Sequence, residues 1–322
     1  MTAGLKGQAM TRRLAITCER LTDESLDGFL RRSLLKNYVT KLDWFEELIL
    51  PPNGERRSFL TRGRMIKQIA DVLGCDQGEL SAAVPLPPKD SKFIQLGEAE
   101  FAASDIRKSR LAVCPSCVAE GKFHHVANMV ANVRCCPIHG QILIDSCRSC
   151  GHSVSANVDL SCCSRCGAKV LEDNSDMDSD LSRQLSQMIA TVIRTGCKKT
   201  PLKWLMPESV TDLFLLAHKI GFYAVDDCQF AYDPSAKVDL IAKGFSLLSG
   251  GPRNIKNLLK ELKSRTGPHQ AHCPIRSLPL FGQDFLSEWS WSKPEKAIAN
   301  VYEEYVAEKQ IEGVPRTYEA AA

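Results

Sequence analysis

Apolar residues recur at intervals of three and four through most of this chain, the period of helices that bury one face. After a short extended start, Leu26, Phe29, Leu30 and Leu34 make the first such face, with Arg31 and Arg32 pointing elsewhere. Thr22 is placed to cap this helix, and Asp23 and Glu24 in its first turn suit the positive end of the dipole. A second helix is predicted over 42–49 and is stopped by Pro51-Pro52-Asn53-Gly54. Met65, Ile66, Ile69, Ala70 and Leu73 form a further stripe that ends at Gly74. Asp76 and Glu79 then resemble a capping box opening a short helix through Leu80 and Val84, closed by Pro85, Pro87 and Pro88. The two segments together read as helix-turn-helix-like.

The C-terminal part is helical again. Leu181, Leu185, Met188, Ile189, Val192 and Ile193 fall on one face, with Gly196 as the stop. Further helices are predicted over 210–220, 238–248, around Ile255, Leu258, Leu259 and Leu262, and over 294–308. The third of these carries Arg253, Lys256, Lys260, Lys263 and Arg265 on its polar face, which reads first as a solvated surface. Between the halves, residues 171–180 are almost purely polar and acidic. They lack the central glycine and final glutamate of a calcium loop, so they read as a linker. The organisation expected is a helical N-terminal domain over 1–110, a metal-binding module over 111–170, the linker, and a helical C-terminal domain over 181–322.

Composition adds two exclusions. No run approaches the ~18 apolar residues of a membrane helix. The first residues carry charge without an apolar stretch, so no secretory signal is expected and the chain reads as cytoplasmic. The formal net charge is only +3, and thiolates around metal ions would cancel it. Any contact with a polyanion must come from a local patch, for which Arg56, Arg57, Arg62, Arg64 and Lys67 are the candidates.

The cysteines change the picture most. Of fourteen, nine lie between residues 114 and 166, a clustering that disulfide stapling does not explain and metal binding does. Two ligand sets can be written. Cys114 and Cys117 join Cys136 and His139, while Cys147 and Cys150 join Cys163 and Cys166. Each C-x-x-C or C-x-x-H turn brings two donors to one side of an ion, and two turns complete a tetrahedron. Cys135 and Cys162 adjoin assigned ligands and could replace them at a looser spacing. His124, His125 and His152 are further donors that read as ordinary polar residues beside the turns. Both sets are closed, so two zinc ions held there would be structural, with no vacancy for activated water. The H-x-E of zinc deaminases and the βαβ pattern around a redox C-x-x-C are both missing. No nucleophile–base pair or carboxylate cluster points to an enzyme.

The order of these motifs resembles the TniQ family, which takes in TnsD-like target selectors of Tn7-like transposons. The resemblance rests on Cys114-Pro115-Ser116-Cys117, on Cys136-Pro137-Ile138-His139-Gly140 running through Ile142, Leu143 and Ile144 to Cys147, and on the final Cys163-Ser164-Arg165-Cys166-Gly167. Glu24-Ser25-Leu26-Asp27-Gly28-Phe29-Leu30-Arg31-Arg32 is similar to the family's opening helix. Phe123-His124-His125 departs from it, standing where the family has a tyrosine-rich segment. The resemblance implies a mainly α-helical protein with a small zinc-ribbon-like module. It implies a non-catalytic adaptor that links attachment-site DNA or an RNA-guided CRISPR effector to an AAA+ transposition regulator. The ATPase contact is expected before Cys114, with target recognition or homodimerisation after Leu181. The rival reading is a zinc-dependent, sequence-specific transcription regulator acting without an ATPase.

Overall fold

The computed structural model describes residues 13–40, 65–86, 93–107, 111–121, 124–154, 158–169, 177–225, 236–265, 277–286 and 292–309. The helix expected over 42–49 and the side chains of Arg56, Arg57, Arg62 and Arg64 lie outside them. The described structure is mostly helical, and no described helix is long and apolar enough to cross a membrane.

Helix α1 (Leu26–Lys36) starts later than its composition suggests, because Ser25 and not Thr22 is the cap. Asp23 adopts a left-handed backbone, φ 62°, which turns the chain before the helix can begin. Ser25 is extended, and its Oγ accepts from the Gly28 N–H at 3.1 Å. Glu24, freed from the first turn, is fully buried and accepts from Arg32 at 2.7 Å and from the Leu21 N–H at 2.9 Å. Arg31 does not face solvent either. It is buried against Asp27 at 3.3 Å, and burial lowers its pKa to about 10.

Helices α2 (Ile66–Leu73) and α3 (Gln77–Ser81) follow in the expected order. Gly74, at φ 70°, ends the first, and the Asp76 carboxylate opens the second by accepting from Gly78 and Glu79 at 2.7 and 3.1 Å. Their apolar stripes meet α1 in one core that includes Leu14, Phe29, Leu30, Leu34, Ile69, Leu73 and Leu80.

A second, larger core lies among the C-terminal helices. After α4 (Pro115–Ala119) in the cysteine region come α5 (Asp180–Thr195), α6 (Val210–Ala224), α7 (Lys237–Ser249), α8 (Pro252–Ser264), α9 (Leu278–Leu286) and α10 (Lys293–Glu308). Leu185, Ile189, Leu213, Phe214, Phe245, Leu259, Phe281 and Tyr302 are among the side chains buried between them. The polar face of α8 is partly neutralised: Lys256 lies 2.7 Å from Glu308 and 3.3 Å from Glu304 on α10.

Two smaller pieces seat the cysteine region on this bundle. An antiparallel hairpin, β1 (Phe93–Leu96) and β2 (Ala99–Ala102), pairs Leu96 with Ala99 and Ile94 with Phe101. Its inward side chains Ile94, Leu96 and Phe101 join the C-terminal core. A 3₁₀ turn, Val126–Met129, is capped by the His125 ring, whose Nδ1 accepts from the Ala127 N–H at 3.1 Å. Val126, Met129, Val130 and Val133 enter the same core, and the chain then runs directly into Cys135 and Cys136.

Candidate metal centres

The first donor set is built from a helix start and a tight turn. Pro115 occupies the first turn of α4, where its fixed φ suits a helix and its missing N–H costs nothing. That short helix places Cys114 and Cys117 at its N-terminal end. Across from them, Cys136 N–H donates to Gln141 O at 2.9 Å, and Gly140 N–H donates to Cys136 O at 2.8 Å. This closes a loop that turns His139 back toward Cys136.

The distances inside the set are those of a coordination shell. The Cys117 and Cys136 sulfurs are 3.6 Å apart. The His139 Nδ1 lies 3.5, 3.3 and 3.7 Å from the sulfurs of Cys114, Cys117 and Cys136. A tetrahedron of thiolates around zinc, with bonds of about 2.3 Å, has edges of about 3.8 Å, and slightly less toward a nitrogen. The four donor atoms lie within 4.8 Å of one another. Cys114, Cys117 and Cys136 are all buried.

The second set repeats the turn twice. Cys147 N–H donates to His152 O and Gly151 N–H to Cys147 O, both at 2.7 Å; Cys163 N–H donates to Ala168 O at 2.8 Å and Gly167 N–H to Cys163 O at 2.9 Å. Gly140, Gly151 and Gly167 have φ of 71°, 68° and 70°, a conformation a side chain resists. Three of the four turns therefore share one design, Cys-x-x-donor-Gly. The Cys147–Cys166 and Cys150–Cys163 sulfurs are 3.7 and 3.6 Å apart, and this set also fits within 4.8 Å. It is more open than the first, with Cys166 exposed.

The electrostatics favour a cation in each set. Backbone N–H groups of Cys166 and Arg165 hold the Cys163 thiol down at about 6. The Cys136 thiol is held far below its ordinary range by the Cys114 and Cys117 thiols and by the His139 and Ile138 N–H groups. Cys117 is pushed strongly upward by the neighbouring Cys114 and Cys136. Sulfurs packed this closely cannot all ionise unless positive charge sits among them.

The choice between adjacent cysteines is settled by direction. Cys135 turns away from the set into the protein, its sulfur 3.4 Å from Ser186 Oγ on α5. Cys162 lies outside the second set, beside the Ser161 hydroxyl at 3.7 Å. Neither His124 nor His125 faces a donor set: His124 bonds Ser25 and the Ala112 carbonyl, and His125 serves as the cap described above. Lys67, of the predicted basic cluster, is exposed on α2.

Several supporting residues are not visible in the cysteine spacing. Arg183 and Gln187, one turn apart on α5, donate to the carbonyls of Ile138 and Pro137 at 3.3 and 3.1 Å, so the C-terminal bundle grips the first turn by its tip. Met177 bridges to Gln141, and Asp178 N–H donates to Gly140 O at 3.1 Å. The end of the acidic stretch therefore lies along the same turn. Val113 and Ile144 exchange both backbone hydrogen bonds at 2.9 Å and tie the two sets together.

Compared with known families, residues 15–143 match the TniQ family model. The matched region takes in α1 and the whole first donor set and stops just before Cys147. No curated protein shows significant similarity to the chain.

Proposed function

From the TniQ domain that residues 15–143 carry, we propose that this protein selects target sites in transposition and acts as a non-catalytic adaptor. It joins an AAA+ transposition regulator to a target-recognition element, either attachment-site DNA or an RNA-guided CRISPR effector. The region before Cys114 meets the ATPase, and the helices after Leu181 serve target recognition or self-association. The observation that carries this reading is the family match, which spans α1 and the first donor set together. The donor chemistry supports it: thiolate-rich, tetrahedral sets suit zinc over oxygen-seeking cations, and four protein donors leave no position for a reacting water.

In this reading Cys114, Cys117, Cys136 and His139 hold one zinc ion, and Cys147, Cys150, Cys163 and Cys166 hold another. Each ion supplies folding energy by cross-linking turns that have little apolar core of their own. The test is capture of the AAA+ regulator from the same element by the full-length chain, followed by a transposition assay with both present. Retention of the ATPase together with chain-dependent targeting is the expected result. Cleavage or joining of DNA by the purified chain alone overturns the adaptor reading. Tight operator binding with no ATPase retained replaces it with the transcription-regulator reading.

A further inference from the structure

The two donor sets differ in one respect that the cysteine pattern does not express. In the first set the imidazole of His139 turns Nδ1 toward the three sulfurs, which leaves Nε2 on the far side of the ring. There the Glu120 carboxylate meets it, Oε1 to Nε2 at 3.3 Å. Glu120 is the C-cap of α4, its N–H donating to Ser116 O at 2.9 Å. It follows Cys117 by three residues, so both lie on the same face of one helical turn. The helix that delivers a sulfur to the set thus also delivers the carboxylate that holds the histidine.

We infer that Glu120 is a positioning residue for the first metal centre, fixing the tautomer and ring plane of His139 so that Nδ1 faces the ion. The inference rests on the reading that this set holds zinc. Its physical basis is general. A neutral imidazole can carry its proton on either nitrogen, and only the form protonated at Nε2 presents a lone pair at Nδ1. A carboxylate at Nε2 selects that form and raises the basicity of the ligating nitrogen. His139 is partly open, with 19% of its side chain exposed, so packing alone does not lock its ring. The second set has four sulfurs, and a thiolate needs no tautomer chosen for it.

That difference supplies an internal control. The full-length chain loaded with zinc is titrated with a chromophoric chelator, and the release of each equivalent is followed. Glu120→Ala should weaken one of the two equivalents by roughly 10–100-fold and leave the other at its wild-type affinity. Glu120→Gln, which keeps an acceptor oxygen at the same reach, should recover most of the loss. In the cobalt-substituted chain, the visible bands of the sulfur-and-nitrogen centre should change in Glu120→Ala while those of the all-sulfur centre persist.

Release of both equivalents from Glu120→Ala at the wild-type chelator concentration overturns the inference. Equal weakening of both sites does so as well, since that signals general unfolding, and so does a Gln variant no better than Ala. A wild-type chain that holds no metal overturns the zinc reading, and this inference falls with it.

Discussion

Ser25 Oγ lies 2.7 Å from His124 Nδ1, a buried bond across 99 residues of chain. It fixes more than one thing. The His124 Nε2 is 2.9 Å from the Ala112 carbonyl, which can only accept, so Nε2 carries the ring proton and Nδ1 accepts from the serine hydroxyl. The same Oγ accepts from the Gly28 N–H, and Ser25 N–H donates to His124 O at 2.9 Å. The cap of the first helix and the segment linking the two halves of the first donor set are one hydrogen-bonded unit.

A pH dependence follows from this geometry. His124 is fully enclosed, and burial lowers its pKa from 6.5 to about 3. A histidine held neutral in the fold takes up its proton only on unfolding. Its contribution is complete above pH 6.5 and falls as the pH drops toward the folded value. At pH 5 the loss should be about 2 kcal/mol, one and a half units at about 1.4 kcal/mol each. Thiolate protonation will also destabilise the chain in acid, so the comparison is with His124→Asn. Denaturant unfolding from pH 7.5 to 5 should show a steeper decline in the wild type than in the variant. Equal slopes would mean that His124 is not held neutral.

Gly28 makes a second, sterically sharper prediction. A Cβ added there would sit 2.7 Å from the His124 backbone nitrogen and 3.0 Å from its Cβ. The obstacle is backbone, which cannot rotate away, so Gly28→Ala must push α1 off the 124–126 segment. The cost should be about 1–3 kcal/mol, although alanine is the better helix former. Thermal unfolding checks this: a variant as stable as the wild type would mean the contact gives way freely.

The parts of the fold legible in the sequence are those with a repeated local signature. The stripe from Leu185 to Ile193 and the stop at Gly196 predict α5 almost to the residue, because Leu185, Ile189, Val192 and Ile193 bury one face of that helix. The repeated C-x-x spacing favours Cys136 over Cys135, and it is the Cys136 sulfur that lies among the donors of the first set. The hairpin at 93–102 has only a faint signature in the sequence, Ile94, Leu96, Ala99 and Phe101 flanking a Gly97-Glu98 turn. Four-residue strands give too short an alternation to stand out among helices. Pro279 and Gly282 disguise helix α9 in the sequence, yet its Phe281 packs against Phe285 and Tyr302. Arg31 follows Asp27 by four residues, the spacing of a helix ion pair, but that spacing does not tell whether the pair faces solvent or, as here, the interior.

Metal content offers the most direct check on the ligand sets. After dialysis the chain should retain two zinc ions, measured by elemental analysis. Cys136→Ser and Cys150→Ser should each reduce the ratio toward one and destabilise the chain severely, since structural zinc contributes about 10–16 kcal/mol in finger peptides. Cys135→Ala should keep two ions, because its sulfur faces Ser186 and not the set. A ratio of one in Cys135→Ala would place that sulfur in the shell and remove Cys136 from it.

The basic cluster before α2 yields the last prediction. Lys67 is exposed in the first turn of α2, the end of a helix where a positive charge opposes the dipole. Its charge therefore does not stabilise that helix, and Lys67→Gln should keep or slightly raise stability. If Lys67 meets phosphate together with Arg56, Arg57, Arg62 and Arg64, each neutralisation should weaken DNA binding and lower the slope of log affinity against log salt by about one. The loss should be similar for target and random duplexes, because phosphate contacts carry no sequence information. Fluorescence anisotropy at several salt concentrations measures both quantities. An unchanged slope in the variant lacking all five charges would assign the cluster to solvent and move any DNA contact to another face of the protein.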